Sequence, residues 1–128
     1  MSEISKFSSF ATPTTDLVDA TNNTNLYDIL CPRDNCRCLV LRKGAATLVK
    51  RDPIKPLDEN DVPSTNEHFW HVGDMMDFDN VGFSKTVGDT KFLSCADCDV
   101  GPLGYHSIAH QPKEYLISID CARYRPRN

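Results

Sequence analysis

No stretch of this chain is apolar over anything near 18 residues, so no segment reads as a membrane-spanning helix. Met1 to Phe10 lacks the apolar core of a secretory leader, and no export is expected. A positive surplus is missing too: 14 Lys and Arg stand against 18 Asp and Glu, a formal charge of −4. Such a surface is a poor match for a phosphate backbone, which argues against nucleic acid as a partner. There is no internal repeat and no long 3.6-residue apolar period with caps, so little helix is expected.

What the 128 residues do contain is cysteine, six of them. Cys95-Ala96-Asp97-Cys98 is a CxxC turn, which holds two thiols on one side of a tight loop as neighbouring corners of a zinc tetrahedron. A second cluster, Cys31, Cys36 and Cys38, lies far upstream. Three disulfides would need an oxidising compartment, so a reducing cytosol and a bound metal are favoured. Cys36 and Cys38 have one residue between them, too few for the usual knuckle, whereas Cys31 and Cys36 have four. The expected ligands of one structural Zn(2+) are therefore Cys31, Cys36, Cys95 and Cys98. Cys38, opening a strand, is left as a free thiol or as a substitute for Cys31. His68, His71, His106 and His110 are read as surface or half-buried imidazoles rather than ligands. Four thiolates on one dication would leave the chain more acidic still.

The polar composition of residues 1–25 reads as a disordered Ser/Thr/Asn-rich tail. Residues 26–128 read as one metal-binding β domain. Pro53, Pro56 and Pro63 among charges mark an exposed loop at about 50–66. What remains is a small core, and a metal staple would add on the order of 10 kcal/mol to its stability. Cys38–Arg42 and Ala45–Val49 flank Lys43-Gly44 as a hairpin. Phe69–Val72, Lys91–Ser94 and Tyr105–Ile108 read as strands. Tyr115, Ile117, Ile119 and Cys121 alternate with Leu116, Ser118, Asp120 and Ala122, a period of two. The fold class is mainly β: a small zinc-stapled antiparallel domain with little helix.

Two further segments bear on function. Cys121 lies near Arg123 and Arg125, which could activate a thiol, but its alternation puts it on the core face as an inert one. Asp74 to Phe83 mixes Met75, Met76 and Phe78 with carboxylates and has no consistent period. It is either a strand edge, with Met76 and Phe78 inward, or an apolar surface for a protein partner steered by charge.

Asp79-Asn80-Val81-Gly82-Phe83-Ser84-Lys85 and the run from Lys91 through Cys95-Ala96-Asp97-Cys98 to His106 resemble the signature region of the Rab-interacting factors. These are small zinc proteins known as MSS-type or DSS-type guanine nucleotide exchange factors. Leu30 to Gly44 resembles that family's first cysteine turn and hairpin, and coverage extends from about Leu30 to Ile119 without the charged loop. The first turn departs from the pattern, with four intervening residues where animal members have two. Met76 stands in place of an aromatic, and Asp77 in place of an apolar residue.

The resemblance implies an MSS-type β-tent with one structural zinc. It also implies binding to nucleotide-free Rab GTPases of the exocytic and secretory type, and slow exchange bordering on a chaperone role. By matching position, the GTPase-contacting residues are Asp74, Met75, Met76, Phe78, Asp79, Asn80 and Asp97. No bond-making chemistry is expected. A cytoplasmic monomer follows, peripheral on secretory membranes through its GTPase and without direct membrane insertion. Two competing readings are a methionine sulfoxide reductase B-like enzyme using Cys121, whose flanking Asp120 and Ala122 do not match that family's motif, and a non-exchange adaptor.

Overall fold

In the computed structural model, residues 4–6, 9–33, 36–51, 67–97, 103–109 and 112–126 are described. In chain order they form β1 (Ser5–Lys6), a one-turn helix α1 (Pro13–Asp16), β2 (Tyr27–Leu30), β3 (Leu39–Leu41), β4 (Thr47–Lys50) and β5 (His68–Val72). A 3₁₀ turn (Met75–Asp77) follows, then β6 (Val81–Val87), β7 (Thr90–Cys95), β8 (Gly104–Ser107), β9 (Tyr115–Ser118) and β10 (Arg123–Pro126). The strands make two antiparallel sheets, one ordered β1-β10-β2-β3 and the other β4-β5-β9-β8-β7-β6. The mainly antiparallel β class read from the sequence is what the chain adopts.

Side chains from both sheets share one core. Ile29, Leu41 and Tyr124 come from the smaller sheet, and Trp70, Val72, Leu93 and Ile117 from the larger. The link between the sheets is polar as well as apolar. Trp70 Nε1 donates to the Tyr124 hydroxyl at 3.0 Å, and that hydroxyl donates to the Ile119 carbonyl. A buried indole N–H and phenol are thus satisfied by each other and by backbone, which removes the penalty of burying them. The opposite face of the larger sheet buries Phe69, Phe92 and Leu116, partly covered by Val49 and Tyr105. The alternation read in Tyr115 to Ser118 is therefore real, but both faces are buried. At the β8–β9 crossing a Cβ on Gly104 would lie 1.6 Å from the Leu116 carbonyl oxygen, so only glycine fits there.

The hairpin expected across Lys43-Gly44 is half right. The turn forms, with Gly44 at φ 81° and Ala45 N donating to Arg42 O at 3.0 Å. Its two arms, however, enter different sheets: β3 pairs with β2, and β4 pairs with β5. Buried Asn25 separates them. Its Nδ2 donates to the Tyr27 and Arg42 carbonyls, its Oδ1 accepts from Ala46 N, and its backbone bonds Gly44 and Ala46. A single amide satisfies backbone that would otherwise pair across the hairpin.

The segment read as a disordered tail differs most from the structure. Within it Leu17 is fully buried, Phe10 packs against Tyr27 and Tyr124 with ring centroids 5.7 and 5.9 Å away, and β1 pairs with β10. Its apolar residues are isolated anchors rather than a periodic face, so neither period nor composition reveals them. Of the charged loop, residues 52–66 lie outside the described residues. Its two ends meet where Arg51 N donates to Glu67 O at 2.8 Å.

Candidate metal centre and the segment beside it

The upstream cysteines are brought together by extending the β2–β3 ladder. Cys31 N donates to Cys38 O at 2.8 Å, and the intervening loop turns where Arg33 O accepts from both Cys36 N and Arg37 N. Arg37 takes a left-handed φ of 54° to close the turn. Arg123 Nε ties the loop to β10 through the Pro32 carbonyl at 2.9 Å. Cys95 ends β7 and is buried. Cys36 Sγ lies 3.5 Å from Cys95 Sγ, across 59 residues of sequence.

Three of the four expected ligands therefore meet: the sulfurs of Cys31, Cys36 and Cys95 all lie within 4.8 Å of one another. Thiolates about 2.3 Å from one tetrahedral ion sit about 3.8 Å apart, so this spacing fits a thiolate-bound ion. The fourth expected ligand, Cys98, lies outside the described residues. Among the described residues no histidine joins a group that could hold a metal. His106 Nδ1 instead lies 2.7 Å from Glu114 O and its ring stacks on Tyr115, while His71 faces the Glu114 carboxylate at 3.4 Å.

Cys38 does not stand apart as the sequence suggested. Its thiol is half-buried and joins Cys36 and an exposed Asp97 carboxylate within the same 4.8 Å limit. Arg37, at a left-handed φ of 54°, turns the backbone between Cys36 and Cys38, and the two thiols share a side. The Cys36 hydrogen bond pulls the Cys38 thiol pKa down, but desolvation and Asp97 outweigh it, and the net shift is upward.

The segment with Met75, Met76 and Phe78 is neither a strand edge nor an open loop. Asp74 Oδ1 accepts from Met76 N at 2.9 Å and Asp74 O from Asp77 N at 3.0 Å, which winds the 3₁₀ turn. Met76 points out, 87% exposed, and Phe78 points in, edge-on to Tyr115 at 6.2 Å. The side chain of Met75 lies outside what is described. Beyond the turn the backbone is fastened on both sides. Asp79 N donates to Val40 O, Asn80 Nδ2 donates to Leu39 O, and Asn80 O accepts from Ala96 N at 2.7 Å. Arg42 Nε pairs with Asp79 Oδ2 at 3.4 Å. Asp74, Met76, Asn80 and Asp97 are exposed, and Phe78 and Asp79 half-buried. The structure thus welds this ridge to β3 and to the cysteine turn.

Cys121 is half-buried, with its thiol 3.6 Å from Asp120 Oδ1. Burial above all, with the Asp120 carboxylate, pushes its pKa up from 9.0 to about 12, against a smaller opposing pull from Ser118. The shift favours the neutral thiol, the less nucleophilic form.

Two antiparallel sheets, with a thiol-rich centre where β7 ends beside the loop before β3 and an apolar–acidic ridge fastened next to it, define a small cysteine-clustered β domain. The Mss4 protein family model matches residues 24–123, and the chain belongs to that family. A Drosophila melanogaster relative named guanine nucleotide exchange factor MSS4 homolog is 38% identical over 97 residues, covering 70% of this chain and 78% of the relative. A Schizosaccharomyces pombe relative of the same name is 33% identical over 92 residues, covering 70% of this chain and 88% of the relative.

Proposed function

We propose that this protein is a guanine nucleotide exchange factor that binds nucleotide-free Rab GTPases of the secretory pathway and holds them as a chaperone would. Carrying the reading is the rigid ridge at Asp74 to Asn80, hydrogen-bonded to the cysteine turn through Asn80 O and Ala96 N, in a chain whose relatives bear the exchange-factor name. Cys31, Cys36, Cys95 and Cys98 hold one structural zinc. The ion contributes rigidity and no chemistry.

An exchange factor makes no covalent bond; it must prefer the empty GTPase to the loaded one. A nucleotide held at about picomolar affinity represents roughly 16 kcal/mol in favour of the loaded state. The coupling is reciprocal: whatever weakens nucleotide binding weakens the factor's grip equally once nucleotide returns. Met76 supplies an exposed apolar contact, and Asp74 and Asp97 pair with basic or amide groups of the partner. Phe78 and Asp79, held by Tyr115 and Arg42, support the ridge from below, and Asn80 and Met75 complete it. Docking there displaces the GTPase loops that cradle phosphate and magnesium, which can exist ordered or disordered. The protein acts from the cytoplasm and reaches secretory membranes through its partner.

Gel filtration against a Rab panel tests this reading. A complex should form with nucleotide-free protein and dissociate on adding GDP or GTP. A complex that survives excess GDP, or none with any empty Rab, contradicts it.

A further inference from the structure

Cys36 belongs to two donor groups at once. One is formed with Cys31 and Cys95, both buried; the other with Cys38, half-buried, and Asp97, exposed. The shared thiol lies 3.5 Å from Cys95 Sγ on one side and 3.5 Å from Asp97 Oδ2 on the other. Together the groups supply five donors before Cys98 is counted, more than the four corners of a tetrahedral ion. One ion cannot use them all.

We propose that Cys36, Cys38 and Asp97 form a second, outer site for a thiophilic divalent cation, with the Cys36 thiolate bridging it to the inner position. The donor chemistry suits such a cation: two thiolates favour zinc, cobalt or cadmium over magnesium or calcium, and the carboxylate completes neutralisation. Three protein donors leave the fourth place to water, so the outer ion exchanges readily while the inner one is caged. Position supports the same division, since Asp97 is exposed at the turn and Cys31 and Cys95 are buried. The proposal goes beyond the exchange-factor reading and does not depend on it.

The experiment is equilibrium dialysis of the full chain, reconstituted with one equivalent of zinc, against increasing cobalt. Zinc and cobalt are counted together, and sulfur-to-cobalt charge transfer is followed in the near ultraviolet. Wild type should take up a second equivalent with charge-transfer absorption while retaining its zinc. Cys38→Ser should keep the zinc and lose the second uptake. Asp97→Asn, at an exposed position, should keep the zinc and weaken the second uptake at least tenfold. A wild type that stays at one ion, a second uptake undiminished in Cys38→Ser, or a Cys38→Ser protein that also loses its zinc each overturns the outer site.

Discussion

Cys36 and Cys95 place their sulfurs 3.5 Å apart from loops separated by 59 residues, one leading into the smaller sheet and one ending a strand of the larger. An ion held there ties the loop before β3 of the smaller sheet to the end of β7 in the larger. Structural zinc contributes on the order of 10 kcal/mol to small domains whose total stability is about 5–15 kcal/mol. Cys95→Ser, or prolonged chelation, should therefore abolish cooperative unfolding and release the metal. Circular dichroism with metal analysis checks this, and a metal-free protein with an unchanged transition refutes it.

Across the core, Tyr124→Phe removes the hydroxyl that accepts from Trp70 Nε1 and donates to Ile119 O. The indole N–H and the carbonyl are left buried without that partner, at a cost of about 1–3 kcal/mol. A lower urea midpoint with an unchanged slope is the expected result, and the shift in Trp70 emission should report the altered partner. An unchanged midpoint would mean that water replaces the hydroxyl.

Much of this architecture was legible in the residues, and the gaps have physical causes. The β5, β7 and β9 runs are apolar enough to declare themselves, and the metal spacing singled out Cys31, Cys36 and Cys95. By contrast β10 contains Arg123, Arg125 and Pro126, and its one core residue, Tyr124, gives no period. Its charge is absorbed in part by the buried Asp28 carboxylate, 3.0 Å from Arg125 Nη2. Leu17 and Asn25 are isolated buried residues in a polar segment, which no window average registers. Cys38, left as a free thiol or a substitute for Cys31, lies beside Cys36 and Asp97, a neighbourhood that spacing along the chain cannot show because Asp97 is 59 residues away in sequence.

Cys121 yields a pH prediction. Its folded pKa is raised from 9.0 to about 12, so the neutral thiol is the form the fold prefers. Stability from this group is complete below pH 9 and is lost as pH rises through about 12. Cys121→Ala should flatten part of the stability loss between those values. Tyr124, raised by burial in the same direction, should account for part of the remainder. At pH 8 Cys121 should react with iodoacetamide far more slowly in the native protein than in urea. Equal rates would contradict the burial.

Gly104→Ala should be among the most destabilising single changes. The added methyl meets backbone, Leu116 O at 1.6 Å and Ile117 Cα at 2.8 Å, which cannot rotate away. The β8–β9 pairing would have to open at the centre of the larger sheet, costing more than about 3 kcal/mol by the overpacking scale. Loss of soluble expression or a collapsed thermal transition is expected. A wild-type melting curve would show that the two strands separate more easily than their register suggests.

Met76 and Phe78 are two residues apart on the ridge and face opposite ways, so they separate docking from support. Met76 is 87% exposed and touches little, and Met76→Ala should leave the melting transition in place. If the ridge meets a GTPase, truncating its most exposed apolar group should weaken capture of the empty form about 5- to 30-fold, about 1–2 kcal/mol on the alanine-scan scale. Phe78 packs edge-on against Tyr115, so Phe78→Ala should instead lower stability, and capture should fall only with the loss of fold. Thermal denaturation and binding to a nucleotide-free Rab, measured on both variants, distinguish the roles. Binding unaffected by Met76→Ala in a fully folded protein would move the contact away from this ridge.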